Sequence, residues 1–407
     1  MQFQVMAKPS GSRCNLGCSY CFYTEKKSLY PHQKNWRMPP EVLASFIKQS
    51  LECHDGPECH FNWQGGEPTL LGVEYFKNII RLQKKYAGNK HVTNSLQTNA
   101  TLLTDEWCRF LKHHDFLVGV SIDGPKALHD RYRIKRNGKA TFEQVMSGIT
   151  RLKKHRVPFN TLTVINSDNA RYPLKVYRFL SQIGDGHMQF IPAVERLPDQ
   201  TTLKQGLELA PPPCDGSTPD NYRITPWSVE PQQLATFYTT LFDYWVRNDI
   251  GKIFVQFFEV ALGNWLGAGA GLCQFSPTCG MAAALEHNGD LYSCDHYVYP
   301  EHKLGNIMQT PLRQLIQSEA QQQFGNAKLT TLPPSCLSCE VRPACHGDCP
   351  KHRFVKSAHS QWGISYLCPA YRKIFSHMAP YLDGLGRLIQ SGRVPGEMMT
   401  FLRQREI

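Results

Sequence analysis

The run Cys14-Asn15-Leu16-Gly17-Cys18-Ser19-Tyr20-Cys21 places three cysteines in a CxxxCxxC spacing directly behind a short β-rich segment, Gln4 to Lys8. A cubane 4Fe-4S cluster takes four ligands, so three thiolates leave one iron open to a substrate or cofactor. Structural zinc closes on four ligands and usually uses a CxxC knuckle, and a disulfide would strand one sulfur of the three. The spacing therefore favours an iron-sulfur reaction site. A cysteine loop at the C-terminal end of a first strand is also a statement about fold, because α/β proteins keep their chemistry at that end.

Downstream, β-rich segments at His60 to Trp63, Thr93 to Gln97, Leu117 to Ile122, Thr161 to Ile165 and Met188 to Ile191 alternate with amphipathic stretches. Val42, Phe46 and Ile47 share one side of a helix, as do Phe76, Ile79, Ile80 and Gln83. This alternation predicts an α/β fold, a parallel sheet covered by helices. Leu197 to Pro226 is rich in Pro, Asp, Thr and Gly without periodicity and reads as a long surface loop. Leu234, Phe237, Tyr238, Leu241, Phe242 and Trp245 recur at helical spacing, the pattern of a core-facing helix rather than an aromatic cofactor box. Beyond Cys273 the chain turns to short segments, and Asn288-Gly289-Asp290, between Glu286-His287 and Leu291-Tyr292, signals a hairpin.

A length of 407 residues exceeds the usual limit of a single core and predicts two domains. The charged fraction, 19%, and the hydrophobic fraction, 41%, are those of a globular protein, and no apolar run is long enough to span a bilayer. The start, Met-Gln-Phe-Gln-Val-Met-Ala-Lys, lacks a basic segment followed by an apolar stretch, so a cleaved secretion signal is not expected and the cytoplasm is the expected location. The formal charge of +11 invites a nucleic-acid partner. Eleven thiolates around three cluster cores of about +2 each would lower it by roughly 5, and the basic pairs Lys26-Lys27, Lys84-Lys85 and Lys153-Lys154 are scattered, so neither nucleic acid nor membrane is an expected partner.

Fifteen cysteines are many for a reducing compartment, where disulfides seldom persist, and metal explains them better. Cys53, Cys59, Cys108 and Cys214 lie scattered and read as ordinary thiols, while eight fall in the second half as Cys273-x5-Cys279-x14-Cys294 and Cys336-x2-Cys339-x5-Cys345-x3-Cys349-x18-Cys368. Eight sulfurs satisfy either two complete clusters or two structural zinc ions, and the Cys336-x2-Cys339 knuckle suits zinc. Spacing alone leaves both open. The N-terminal triplet tips the balance, since an open cluster doing redox chemistry needs electron partners and zinc offers none.

The CxxxCxxC run followed by Phe22 resembles the signature of radical S-adenosylmethionine enzymes, and Gln64-Gly65-Gly66-Glu67-Pro68 resembles their GGEP motif. The C-terminal cysteines are similar to the SPASM extension that carries two auxiliary 4Fe-4S clusters. Gln64 to Leu70, Asn94 to Asn99, Leu117 to Pro125 and Cys294-Asp295 after the hairpin resemble the anaerobic sulfatase-maturating enzymes, and the likeness runs from about Val5 to Tyr381. It implies a partial (βα)6 barrel over residues 1-230, a helical connection over 231-270, a SPASM domain over 271-375 and a C-terminal helical segment over 376-407. It further implies three 4Fe-4S clusters, with S-adenosylmethionine as co-substrate. Cys14, Cys18 and Cys21 would hold the open cluster; Cys273, Cys279, Cys294 and Cys349 one auxiliary cluster; Cys336, Cys339, Cys345 and Cys368 the other. Tyr20, Gln64, Gly66, Glu67, Ser121, Asp123, Arg133 and Val194 would contact the cofactor, Arg133 and Val194 on looser local matches. Asp295 matches the general base. Where the family often has Gly after Gln-Thr-Asn, this chain has Ala100, which bears on backbone freedom at that turn.

Such an enzyme oxidises a Cys or Ser of a sulfatase, expected as an unfolded or nascent polypeptide, to Cα-formylglycine. That requires loss of a Cβ hydrogen atom, a side-chain proton and an electron. The adenosyl radical, a carboxylate and an oxidising cluster would take them in turn, and Asp295 directly after Cys294 would hold base and electron acceptor on one loop. Gly65-Gly66, lacking Cβ atoms, would let backbone approach the cofactor's amino group, and Glu67 would accept a hydrogen bond from it. His296 reads as a structural or surface histidine rather than a second base. A flavodoxin or ferredoxin would donate electrons, and a monomer is expected. Two alternatives stand beside this reading. One is a SPASM maturase of ribosomal peptides, against which the short lead before Cys14 is expected to leave no room for a peptide-clasping domain; the other is a zinc-dependent nucleic-acid binding protein.

Overall fold

The computed structural model describes residues 3–213, 222–269, 271–356 and 362–404; Cys214 and part of the expected long loop lie outside these. Six strands, the first leading into the cysteine loop, stand in the order the alternation predicts: β1 Gln4–Ala7, β2 Glu58–Trp63, β3 His91–Thr98, β4 Leu117–Ser121, β5 Phe159–Ile165 and β6 His187–Pro192. A two-residue β7, Phe254–Val255, closes that edge. β1 to β7 lie side by side in chain order and all run parallel. This is the sheet of a partial (βα)6 barrel, with every connection led back by a helix. In β5 every second residue is buried, Phe159, Thr161, Thr163 and Ile165, the period of a pleated strand.

The covering helices begin where local chemistry allows. Pro40–Cys53, Pro173–Ile183 and Pro231–Asn248 each carry proline in the first turn, where its missing N–H is not needed. Thr104 caps Asp105–His113 by accepting from the Trp107 N–H at 3.3 Å. Phe46 and Phe76, from two neighbouring helices, meet Phe61 and Trp63 on the buried face of β2. Each such ring contributes about 2–3 kcal/mol when fully removed from water.

The sheet does not stop at the barrel. β8, Ala282–Leu285, pairs parallel with β1 on its free edge, and β9, Asp290–Tyr292, and β10, Lys303–Asn306, continue it antiparallel. The boundary expected at 270/271 therefore falls within one hydrogen-bonded ten-stranded sheet. The expected hairpin forms, but Glu286 and His287 belong to its turn, closed by Glu286 N–H on the Asp290 carbonyl at 2.8 Å, with Gly289 at φ +92°. Helix Cys368–Gln390 starts ahead of the expected segment at 376 and packs with Pro231–Asn248 and Gln256–Trp265 around Phe257, Phe275 and Phe375. The stretch expected as an irregular loop contains a short helix, Gln200–Lys204, capped by Asp199, and folds back through Leu197 N–H on the Arg223 carbonyl at 2.8 Å. Among the described residues no helix is long and apolar enough to cross a membrane.

Helix Phe142–Lys154 comes so close to the turn after β3 that a Cβ on Gly148 would stand 2.3 Å from the Ala100 carbonyl oxygen. Gly148→Ala is expected to lower the thermal unfolding midpoint by several degrees, matching an overpacking cost of about 1–3 kcal/mol. Gly56→Ala, with open space around the added methyl, serves as the control and should leave the midpoint within a degree or so.

Candidate functional site

The cysteine loop leaves β1 at Lys8 and is bolted to the turn after β2 by backbone alone. Gly66 N–H donates to the Gly11 carbonyl at 2.8 Å and Glu67 N–H to the Arg13 carbonyl at 2.9 Å. A Cβ on Gly66 would lie 2.0 Å from the Arg13 carbonyl oxygen, so glycine is required here by the cysteine loop itself. Gly65, at φ +133°, occupies backbone space that side chains rarely reach. Cys21 N–H closes a turn onto the Cys18 carbonyl at 3.1 Å, and Leu16 N–H donates to Cys14 Sγ at 3.4 Å.

Glu67 is held by the chain at several points. Its Oε1 accepts from Thr69 N–H at 3.1 Å, Thr69 O–H at 2.6 Å and Thr98 O–H at 2.7 Å, and its Oε2 from Asn99 N–H at 2.7 Å. A carboxylate has about four acceptor positions, two on each oxygen, so Oε1 is crowded while Oε2 keeps one position open. Burial pushes its carboxyl above the ordinary range while those hydrogen bonds oppose the shift. Asp123, fully buried at the end of β4, is likewise held by the chain: by Tyr20 O–H, by Val164 N–H at 3.0 Å and by Arg133 Nε at 3.1 Å. Both carboxylates tie neighbouring parts of the chain together. Arg133 also lies over the Tyr20 ring at 5.4 Å, which brings Tyr20, Asp123 and Arg133 together beside Cys18. Ser121 and Val194 are buried at the ends of β4 and β6, and Gln64 N–H is held by the Ala7 carbonyl at 2.9 Å. Asn99, which sequence reasoning quoted only within a motif, reaches Cys14 Sγ at 3.8 Å and Asn15 Oδ1 at 2.9 Å through Nδ2. Ala100 sits at φ +60°, the conformation for which glycine is the easier residue.

Burial pushes the Cys14 and Cys18 thiols up to about 12. Thiolates here need compensating positive charge, which a cluster core brings; the donor set and its partly buried loop fit one. The eight C-terminal cysteines separate into two neighbourhoods. Burial raises Cys294, and Cys273 and Cys349 raise it further; burial also raises Cys349 to about 12, with Cys279 and Cys273 adding to it. Cys336, Cys339, Cys345 and Cys368 line one cavity. Two sets of four sulfurs are the donor number that two complete 4Fe-4S clusters take, and the donor chemistry fits them.

Between Cys345 and Cys349 the chain turns through His346, Gly347 and Asp348, all at positive φ. Arg353 holds that turn by donating to the carbonyls of Gly347, His346 and Asp348 at 2.8–3.0 Å. Lys328, 1% exposed, donates to the Cys273 and Gln274 carbonyls at 2.6 and 2.8 Å. Sequence periodicity could not find it, because its helix, Glu319–Thr330, buries polar residues, Gln321 and Lys328 among them.

Asp295 lies on the single turn Asp295–Tyr297 after Cys294 and pairs through Oδ1 with Lys8 Nζ at 2.5 Å. Lys8 is 1% exposed and also lies 4.5 Å from the Tyr23 ring. Lys8 was missed; the available signal was a cation closing an otherwise apolar strand. Lys26 and Lys351 complete the polar surroundings. Lys26 Nζ sits 3.4 Å over the Tyr299 ring and 3.7 Å from Glu25, and burial pushes its ammonium down to about 8. Lys351 pairs with Glu195 at 2.5 Å. His296 is no surface histidine: its ring packs on Phe22 with centroids 4.9 Å apart, and its Nδ1 is buried.

Three sulfurs on a first-strand loop at the C-terminal edge of a partial barrel, with two further cysteine sets grafted onto the same sheet, define a radical S-adenosylmethionine enzyme with an iron-sulfur extension. The family model for the Radical SAM superfamily matches residues 9–180, and that for an iron-sulfur cluster-binding domain, SPASM, matches 273–340. A serine-type anaerobic sulfatase-maturating enzyme of Bacteroides thetaiotaomicron is 42% identical over 98% of this chain and 95% of its own length. A cysteine-type enzyme of Clostridium perfringens is 32% identical over 95% and 99%. A solved structure described as native anSMEcpe with bound AdoMet superposes with a TM-score of 0.81 at 31% identity, over 94% of this chain and 99% of that one. Streptococcus suis SuiB, at 13% identity and a TM-score of 0.55, shares the fold. The chain belongs to the anaerobic sulfatase-maturating enzymes.

Glu67→Gln tests the clamp on the cysteine loop. An amide cannot accept on its nitrogen side, so at least one buried donor among Thr69, Thr98 and Asn99 loses its partner at a cost of about 1–3 kcal/mol. The expected outcome is a lower unfolding midpoint together with reduced iron retention, read by metal analysis after anaerobic desalting; wild-type values for both would remove Glu67 from this role.

Proposed function

We propose that this chain oxidises the side chain of a Ser or Cys in a sulfatase polypeptide to Cα-formylglycine, consuming S-adenosylmethionine. The observation that carries this reading is the Lys8–Asp295 ion pair, which ties the residue beside Cys294 to the strand that feeds the first cysteine loop. In this reading Cys14, Cys18 and Cys21 hold one 4Fe-4S cluster, the sets Cys273, Cys279, Cys294, Cys349 and Cys336, Cys339, Cys345, Cys368 hold two more, and together with S-adenosylmethionine these groups supply a 5'-deoxyadenosyl radical and one-electron acceptors. Tyr20, Gln64, Gly66, Ser121, Arg133 and Val194 line the cofactor's seat.

The chain's own work is binding, orientation and proton transfer. Lys8 holds Asp295 Oδ1, fixing the plane of the carboxylate that takes the proton from the target hydroxyl or thiol. A serine –CH2OH then becomes –CHO by loss of one hydrogen atom, one proton and one electron; with cysteine, water afterwards replaces sulfur and hydrogen sulfide leaves. The buried Glu195–Lys351 pair and the Glu25–Lys26 contact offer the substrate's polar backbone a prearranged surface. The target polypeptide must be locally unfolded for its side chain to enter. A flavodoxin or ferredoxin as electron donor, a monomeric state and a reducing, cytoplasmic location belong to the same proposal.

Anaerobic reconstitution followed by mass spectrometry of two model peptides, one with Ser and one with Cys at the target position, tests it: a peptide converted to aldehyde with matching 5'-deoxyadenosine supports the reading. Asp295→Asn is expected to keep iron content and 5'-deoxyadenosine formation while depressing aldehyde yield by at least ~100-fold, within the usual worth of a general base. Unchanged aldehyde yield would remove Asp295 from its assigned part. Replacing Cys14, Cys18 and Cys21 together by Ala should abolish 5'-deoxyadenosine, measured by chromatography; continued cofactor cleavage would refute the open-cluster assignment.

A further inference from the structure

The Nδ1 of His296 is buried and, among the described residues, has no hydrogen-bond partner, although the ring packs on Phe22. An unpaired polar atom inside a native protein calls for an explanation. The cationic side chains around the ring are Lys351, His352, Lys8 and Lys26. Each is engaged elsewhere: Lys8 with Asp295, Lys351 with Glu195, His352 with Asp348 at 2.9 Å, and Lys26 with Tyr299 and Glu25. None of these side chains, and no other group among the described residues, serves Nδ1, which leaves it open to a partner from outside the chain. The nitrogen belongs to the residue directly after Asp295, on the same single turn, so whatever presents its proton to Asp295 stands near it.

We propose that His296 Nδ1 binds the hydroxyl of a target serine and thereby biases the enzyme toward serine over cysteine. The proposal rests on the formylglycine reading and adds the specificity determinant of that site. A hydroxyl both donates and accepts strongly, so it complements Nδ1 in either tautomer of the ring; a thiol does both weakly. Leaving Nδ1 unpaired beside a thiol, or leaving a serine hydroxyl unpaired after His296 is removed, forfeits one buried hydrogen bond. Sites built to bind a hydroxyl reject analogues that cannot replace it, and one such bond corresponds to a discrimination of ~10- to 100-fold.

The test uses anaerobically reconstituted holoenzyme and three peptides identical except for Ser, Cys or Ala at the target position. His296→Phe keeps an aromatic ring on Phe22 and removes the nitrogen; His296→Gln keeps a donor and an acceptor. With reductant, the ratio of kcat/KM for the Ser peptide to that for the Cys peptide should fall ~10- to 100-fold in His296→Phe and recover in part in His296→Gln. Without reductant, calorimetry should show wild-type enzyme loaded with S-adenosylmethionine binding the Ser peptide more tightly than the Ala peptide, and His296→Phe binding the two alike. Equal losses for Ser and Cys peptides, or an unchanged ratio, would overturn the proposal while leaving formylglycine formation standing. Wild-type enzyme that splits S-adenosylmethionine yet converts neither peptide would overturn both. Iron content and visible absorption report whether His296→Phe folds; should it fail to, equal wild-type affinities for Ser and Ala peptides overturn the assignment by themselves.

Discussion

Everything at this site depends on one close backbone approach. Between Lys8 and Cys21 the cysteine loop holds no helix or strand beyond the single bridge of Leu16 to Lys135, so its first half takes its shape from the turn after β2, where Gly66 and Glu67 donate to Gly11 and Arg13. The absence of a Cβ at Gly66 allows the contact, and the Glu67 carboxylate, clasped by Thr69, Thr98 and Asn99, prevents the turn from relaxing away. Loops after β1, β2 and β3 are thereby fixed to one another before any cofactor is bound. That is preorganisation in a physical sense: the backbone order is held by buried hydrogen bonds whose loss would leave unpaired donors.

The second dependency joins the two halves of the chain. β8 lies along β1 and continues the sheet, which sets the turn carrying Cys294 and Asp295 against the strand carrying Lys8. In the proposed reading, the base and the loop for the open cluster thus flank neighbouring strands of one hydrogen-bonded sheet. Rigid elements hold reacting groups more accurately than loops do, and a reaction that needs hydrogen atom, proton and electron removed from one carbon centre demands such accuracy.

Much of this was legible in the sequence. The parallel strands announced themselves by β-rich segments at regular intervals, with edges displaced by a residue or two, and the aromatic helix Pro231–Asn248 by its 3.6-residue period. What escaped notice has a common cause: periodicity reads burial of apolar groups, and the missed parts bury polar or small ones. Ala282-Ala283-Ala284-Leu285 has weak strand propensity and is a strand because β1 offers it a free edge. Glu319–Thr330 buries Gln321 and Lys328 to serve carbonyls of the cysteine loops. Lys8 looked like the end of a strand.

Those buried polar groups also show why the interior looks as it does. Lys8, Lys26 and Lys351 face Asp295, Glu25 and Glu195, three cations against three anions at low exposure. Buried ion pairs seldom repay their desolvation, and apolar residues of the same volume would often give a more stable core. The arrangement is therefore poor as a means of stability; under the proposed function it suits a peptide, whose own N–H and C=O groups must find partners once water is excluded. The aromatic rings of Tyr23, Phe22 and Tyr299, each beside one of the three lysines, fix where those charges stand. Stability is supplied elsewhere, by the aromatic layers around Trp63 and Phe257. The division of labour is spatial: apolar packing behind the sheet maintains the fold, and the costly charges collect around the turn that carries Asp295 and His296.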